Sequence, residues 1–183
     1  GKYNDDEVKL LEKTIALLPD MQFKGAEGFD FSQCYQCREM DEDCVRFDLN
    51  YFKYCYLKLV GADFDEYALE VDFKHLTSRL TSFDTDTFLY RDFQARNVMV
   101  REGKPFFIDF QGGRRGPIYY DVASFLWQAS SRFGGKLRMR LVDVYLQSLQ
   151  KYQSVGREEF IKNLKLFVLF RTLQVLGAYG YRG

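Results

Sequence analysis

Two acidic side chains and one amide stand at spacings that suit phosphoryl transfer. Asp92 is followed by four residues and then Asn97, and Asp109 comes twelve residues beyond that asparagine. A carboxylate beside an attacking hydroxyl can orient it or accept its proton. An amide oxygen and a second carboxylate can hold a Mg²⁺ ion on the phosphates. The three residues together predict a phosphoryl-transfer centre.

The joint pattern carries this prediction, because a single loop aspartate is more often a turn former or a helix cap. Residues 90–97 fit the catalytic-loop pattern His-Arg-Asp, four residues, then Asn, with Tyr90 in place of the histidine. Asp109 stands near the end of an apolar, β-prone segment, where a carboxylate is well placed to bind a metal.

Three segments resemble the aminoglycoside phosphotransferase and choline kinase superfamily of kinase-like enzymes. They are residues 90–97, 106–109 and 116–123, the last similar to the family's Gly-x-Pro-x-x-Asp-Leu-Ala. The Asp-Phe-Gln after the strand resembles bacterial sugar-kinase-like members. The resemblance implies an α+β, mainly α fold: a protein-kinase-like C-terminal lobe, with a helical body and a small β-hairpin insertion that carries the catalytic loop.

The resemblance also implies roles for single residues, with ATP and Mg²⁺ as cofactors. Asp92 would be the catalytic base, and Asn97 and Asp109 would hold Mg²⁺ and the nucleotide. Tyr90 would orient the backbone near Asp109 through its hydroxyl. Asp121 would brace the catalytic loop, although a helix N-cap is its simpler interpretation.

Four further polar residues border the expected site. Arg96 could reach the γ-phosphate or the substrate, or it could be a solvated surface arginine. Gln111 is a candidate phosphate contact, and Arg114 and Arg115 are candidate substrate contacts.

The elements that must position these residues follow from apolar periodicity. Helical spacing predicts helices over residues 5–18, ended by Pro19, and over 41–60 and 65–80. The segments 88–90, 98–101 and 105–110 are short and β-prone, with a turn at 102–104. Helices return after Asp121, and the last is expected over residues 157–176.

We expect one domain over residues 1–183 without its nucleotide-binding lobe. Neither a Gly-rich phosphate loop nor a strand lysine precedes Asp92. An N-terminal lobe of the same full-length protein is then the expected partner, and the isolated chain should lack full activity. The alternative is a non-catalytic, kinase-like binding module.

The expected substrate is a small molecule with a hydroxyl group. Only seven residues separate Asp109 from Pro117, which leaves no room for the long activation segment of protein kinases. A sugar or amino sugar, an aminoglycoside and a choline-like alcohol are the candidates.

Composition excludes several other classes. The chain has 26 basic and 26 acidic side chains, a balance that disfavours nucleic-acid binding and a polybasic membrane anchor. Neither an apolar run of about 18 residues nor a signal peptide is evident. Its four cysteines, Cys34, Cys37, Cys44 and Cys55, are expected to be reduced thiols in the cytoplasm. A metal-binding interaction domain built on Cys34 and Cys37 is the competing interpretation.

Overall fold

Helices dominate the computed structural model, which describes residues 3–182. The helices are α1 (Asp5–Ala16), α2 (Leu18–Lys24), α3 (Glu42–Phe52), α4 (Glu66–Leu80), α5 (Tyr119–Leu126), α6 (Gly135–Leu149) and α7 (Arg157–Arg182). The strands are β1 (Thr87–Leu89), β2 (Val98–Arg101), β3 (Lys104–Phe107) and β4 (Arg114–Gly116). The mainly α, α+β class agrees with the sequence prediction. Within residues 3–182 no helix is both long and apolar enough to cross a bilayer.

Side-chain caps fix the starts of three helices. Asn4 accepts the backbone N–H of Glu7, and the Glu7 carboxylate accepts that of Asn4, which closes a capping box on α1. Asp41 and Asp65 cap α3 and α4 in the same way, each through one hydrogen bond. Pro19 has a different role from the predicted one: it lies in the first turn of α2, where a missing N–H costs nothing.

The strands form two separate antiparallel pairs. β2 and β3 make the expected hairpin, with Glu102 and Gly103 at φ of 52° and 67° in its turn. β1 pairs with β4. The sequence Arg-Arg-Gly of β4 carries no β pattern, so this strand was not predicted; it exists because it pairs with β1 and with the loop around Glu39.

The core lies where α7 packs against α3 and α5. Phe160, Phe167 and Phe170 on α7 are each at most 1% exposed. The predicted helix 41–60 is interrupted, because α3 passes into a π-turn over Lys53–Leu57. The final helix also extends to Arg182, six residues beyond the predicted end. Residues of α3 and α7 line the cleft described below.

Candidate active site

Asp121 holds the start of the catalytic loop from the first turn of α5. Its side chain is fully buried. One carboxylate oxygen accepts the backbone N–H of Tyr90 at 2.8 Å, and the other accepts that of Arg91 at 2.9 Å. Arg91 has φ of 73°, a left-handed conformation that non-glycine residues rarely adopt. Asp121 is therefore placed as a brace that stabilises a strained turn immediately before Asp92.

Burial dominates the ionisation of this brace. It raises the pKa of Asp121 to about 7, although the N–H groups of Tyr90 and Arg91 favour the charged form and oppose the rise. The negative charge of Asp92 raises it further. The carboxyl group thus titrates near neutral pH inside the protein.

Tyr90 connects the catalytic loop to the segment that carries Asp109. Its hydroxyl donates a hydrogen bond to the backbone carbonyl of Ile108. Burial raises the pKa of Tyr90 to about 12, so the hydroxyl keeps its proton and remains a donor. The tyrosine in the histidine position therefore has the backbone contact that its proposed orienting role requires. Asp109 follows directly, exposed and at φ of 68°.

Asn97 forms hydrogen bonds with Asp92 and with Ile108, the residue before Asp109. It is 6% exposed, and its Nδ2 donates to the backbone carbonyl of Asp92 at 2.8 Å. Its own carbonyl accepts the N–H of Ile108 at 3.0 Å, next to Asp109. With Nδ2 committed, the amide oxygen Oδ1 is the atom left for a cation. An amide oxygen and an exposed carboxylate are hard donors that fit Mg²⁺.

The Asp92 side chain lies at the junction of two loops and is 44% exposed. A Cβ atom placed on Gly112 would lie 3.9 Å from Asp92 Oδ2, so the loop after Asp109 passes close to this carboxylate. Gln94 Nε2 lies 3.5 Å from Asp92 Oδ1, at the limit of a hydrogen bond. An α7 guanidinium nitrogen, Arg171 Nη2, lies 3.9 Å from the same oxygen.

A cleft of about 730 Å³ opens on the side of Asp92 that faces α7. Aromatic rings from α3, from α7 and from the residue after α5 line it, together with charged and amide groups. The aromatic residues are Phe47, Tyr51, Trp127 and Tyr179; the polar ones include Asp48, Arg91, Asp92, Gln94, Arg96, Arg171 and Gln174. Asn97 and Asp109 lie outside this lining.

Polar side chains from α3 and α7 form the floor of the cleft, and the sequence analysis did not find them. Gln174 Nε2 donates to Asp48 Oδ2 at 2.7 Å, and Arg91 Nη2 lies 3.5 Å from Asp48 Oδ1. Burial raises the pKa of Asp48, while the guanidinium of Arg91 and two further arginines oppose the rise. The sequence could have indicated these residues as polar side chains on buried helical faces. Asp48 directly precedes the buried Leu49, and Gln174 lies one turn after the buried Phe170.

The remaining predicted contacts are dispersed. Arg96 is exposed and lines the cleft. Gln111 is exposed on the loop after Asp109. Arg115 lies 3.7 Å from Asp86, with its guanidinium 4.6 Å from the centre of the Phe31 ring, and it does not line the cleft.

The position of Arg114 corrects the expectation that it contacts the substrate. Its side chain is 1% exposed and does not line the cleft. The guanidinium contacts the sulfur atoms of Cys37 and Cys44, the latter at 2.9 Å, and Nε donates to the carbonyl of Gly112 at 3.3 Å. Strand β4 turns this side chain into the core because successive residues of a strand face opposite sides.

The cysteines show no metal-binding arrangement in the part of the chain described. All four are free thiols, and no group of three or more His, Cys, Asp or Glu side chains within residues 3–182 could hold a metal ion. Burial raises the pKa of Cys44 to about 12. Cys37 and Cys44 instead surround the Arg114 guanidinium.

Two comparisons with known proteins bear on this site. The chain is 29% identical over 98 residues to an N-acetylmuramate/N-acetylglucosamine kinase of Neisseria meningitidis serogroup B (strain ATCC BAA-335 / MC58). That match covers 50% of this chain and 28% of the kinase, so the chain corresponds to a minor part of the relative's length. A profile of the phosphotransferase enzyme family matches residues 43–156, which include the whole catalytic loop, Asp109 and Asp121. The chain belongs to the phosphotransferase enzyme family.

Proposed function

We propose that this protein transfers the γ-phosphoryl group of ATP to a hydroxyl group of a small molecule. One observation carries the proposal: Asp92 lines a cleft of substrate size, and its backbone carbonyl accepts Nδ2 of Asn97, a residue suited to Mg²⁺. A base must contact the acceptor hydroxyl while the metal ligands contact the donor phosphates. The cleft therefore corresponds to the acceptor side of the reaction, and Asn97 and Asp109 correspond to the donor side.

The chemistry assigned to the residues is mainly positioning. Mg²⁺, when bound, supplies charge neutralisation at the phosphates. Asp92 orients the acceptor hydroxyl in the cleft and takes its proton as the oxygen bonds to the γ-phosphorus and ADP leaves. Asn97 and Asp109 hold the cation. Arg96, exposed at the edge of the cleft, is a candidate contact for the transferred phosphoryl group.

The cleft suits a sugar or amino sugar better than a cation. Three guanidinium groups line it, from Arg91, Arg96 and Arg171, against two carboxylates. Both carboxylates already face an arginine: Asp48 faces Arg91, and Asp92 faces Arg171. A polycationic aminoglycoside or a choline-like alcohol would meet this positive excess without an unpaired acid. Aromatic walls provide flat apolar surface for sugar rings, and the name of the Neisseria relative gives two amino sugars as its substrates.

The donor side is proposed to include an N-terminal lobe of the full-length protein. Hydrophobic side chains of β2, β3 and the following loop are exposed. Met99 is 54% exposed, Val100 49%, Phe106 52% and Phe110 59%. Several exposed apolar side chains next to Asp109 are typical of an interface. We expect residues 1–183 alone to show negligible ATP turnover.

Four free thiols also favour a reducing compartment, and we propose the cytoplasm.

The proposal is tested with the full-length protein, ATP and Mg²⁺, by measuring ADP release with a panel of acceptors. The panel contains N-acetylglucosamine, N-acetylmuramate, choline and an aminoglycoside. Turnover is expected with a sugar, and Asp92→Asn should lower kcat about 10²- to 10⁴-fold, the usual contribution of a positioned acid or base. Asp143→Asn, an exposed surface variant, is the matched control and should leave kcat unchanged. Full turnover in Asp92→Asn would remove the assignment of Asp92.

A non-catalytic binding module is the second candidate. It is favoured by the cleft of about 730 Å³, which can bind a sugar without any phosphoryl transfer. That function predicts sugar binding by residues 1–183 in calorimetry together with no ADP release by the full-length protein. ADP release that depends on the sugar would exclude it.

A further inference from the structure

Arg171 lies in the cleft opposite the proposed base and is held there by two elements. On its own helix, Gln174 Oε1 accepts Arg171 Nη1 at 2.8 Å. From α5, Ser124 Oγ lies 3.2 Å from Arg171 Nε, and the Tyr120 ring lies beneath the guanidinium at 5.9 Å. The side chain is 14% exposed. A planar guanidinium with contacts on two of its nitrogens and on one face has little freedom to rotate.

The amide of Gln174 is itself fixed, which makes the arrangement directional. Gln174 Oε1 accepts the Tyr120 hydroxyl at 2.5 Å as well as Arg171, and Gln174 Nε2 donates to Asp48 at 2.7 Å. Reversing the amide would set its NH₂ group against two donors and its oxygen against a carboxylate. The network therefore has one favourable orientation, and that orientation leaves Arg171 Nη2 facing Asp92.

Asp92 depends on this contact for its own orientation. Among residues 3–182, Arg171 is the one basic side chain within 4.0 Å of the Asp92 carboxylate. The remaining side-chain contact is the 3.5 Å approach of Gln94 Nε2, which is too long to restrain a half-exposed carboxylate. Coulomb attraction at 3.9 Å in a partly buried site is the stronger restraint.

We propose that Arg171 is a positioning residue, which acts through Asp92 by holding its carboxylate towards the acceptor hydroxyl in the cleft. The proposal rests on the assignment of Asp92 as the base. Its consequence is that α7, which carries none of the family's motif residues, controls the geometry of catalysis. Loss of the restraint should lower the rate of the chemical step and leave acceptor binding almost intact, because the cleft walls remain.

The test is steady-state kinetics of Arg171→Met and Arg171→Lys in the full-length protein. Arg171→Met should lower kcat about 10- to 100-fold, since a small misplacement of a reacting group has effects of this size. The KM values for the sugar and for ATP should change less than about threefold. Arg171→Lys keeps the charge but loses the guanidinium contacts with Ser124, Gln174 and Tyr120. Its kcat should therefore lie between those of Arg171→Met and the unmodified protein. Arg157→Met is the matched control, because Arg157 is on the same helix but pairs with Asp143 at the surface.

A double-mutant cycle separates this role from a purely structural one. In an Asp92→Asn background, Arg171→Met should lower kcat less than about twofold, because its effect passes through the missing carboxylate. If Arg171→Met does not fold in a thermal-unfolding assay, Arg171→Lys decides: a lower kcat at constant KM supports the proposal, and an unchanged kcat overturns it.

Four further outcomes decide against the proposal. A raised sugar KM with unchanged kcat identifies Arg171 as a substrate contact and overturns the positioning role. An equal loss of kcat in both backgrounds also overturns it. Unmodified protein without turnover for any acceptor overturns the proposed function together with this inference, whereas normal turnover in Arg171→Met overturns this inference alone.

Discussion

Arg91 shows how one residue's backbone connects fold to chemistry. Its φ of 73° turns the chain sharply before Asp92, and the buried Asp121 carboxylate stabilises that turn through two N–H groups. The Arg91 side chain then points back to Asp48 in the cleft floor. A residue in an unfavourable conformation thus contributes to both the loop and the cleft.

The ionisation of Asp121 gives a prediction about pH. Its pKa is raised from 3.8 to about 7, so between these values the folded protein binds this proton more tightly than the unfolded chain does. The contribution of Asp121 to the free energy of unfolding therefore falls as pH rises from about 4 to about 7. Asp121→Asn lacks this titration. Urea unfolding at a series of pH values should show the difference, wild type minus variant, shrinking across this window and becoming constant above it.

The same variant also loses a hydrogen bond. An asparagine offers one acceptor oxygen, so one of the two buried N–H groups loses its partner, at about 1–3 kcal/mol. A difference between the two proteins that does not vary with pH would contradict the raised pKa of Asp121.

Arg114 provides a second test at the residue scale. Because its guanidinium is buried against Cys37 and Cys44, Arg114→Met should change the KM for the acceptor less than about twofold. Methionine has a similar length and packs well against sulfur and apolar groups. Acceptor kinetics in the full-length protein make the measurement, with Arg171→Met for comparison. A tenfold higher KM for the acceptor would show that Arg114 contacts the acceptor after all.

The sequence predicted the local residues of the site and missed the distant ones. The positions Tyr90, Asp92, Asn97 and Asp121 are near one another in the chain, so a motif can reveal them together. Residues 48, 171 and 174 reach the site only through the packing of α3 against α7. A single sequence does not contain that pairing in any short pattern.

At the scale of elements, apolar periodicity in the sequence predicted helices reliably, whereas the pairing of β4 with β1 could not be predicted from it. The bounds of α4 and β2 agree with prediction to within one residue because caps and turns mark them locally. β4 was missed because its three residues become a strand only through β1. The π-turn after α3 was also missed because no short sequence pattern marks it, and in the structure it lies in close contact with α7.

That close approach predicts the effect of Gly180→Ala. A Cβ atom on Gly180 would overlap the backbone carbonyl of Cys55 in the π-turn, and backbone cannot move aside as a side chain can. We expect a loss of about 1–3 kcal/mol in the free energy of unfolding, as for other overpacked sites. Chemical denaturation measures it. Gly135→Ala, at the start of α6 with no atom within 4 Å of its Cβ, is the control and should be neutral or slightly stabilising. Equal stability of the two variants would show that α7 can retreat from the π-turn.

At the scale of the whole molecule, the exposed side chains of the β2–β3 hairpin predict that one substitution there has different effects on stability in residues 1–183 and in the full-length protein. Phe106→Asp on residues 1–183 should change the free energy of unfolding less than about 0.5 kcal/mol, because the ring is half exposed there. In the full-length protein the same change should cost about 1.5–3 kcal/mol and weaken ATP binding, since a covered ring is lost. Thermal unfolding of both proteins makes the comparison. Equal effects in the two would show that no lobe covers this face.

The contact between Asp48 and Gln174 joins residues 126 positions apart, and this has a consequence for biosynthesis. Chains fold from their N-terminal end as they are made, and long-range contacts form slowly. The residues of the catalytic loop and its Asp121 brace have been synthesised before those of α7. Asp48 then remains without its amide partner, and the cleft has no second wall. A nascent chain therefore carries the family's motif for some time before it has a pocket for a substrate.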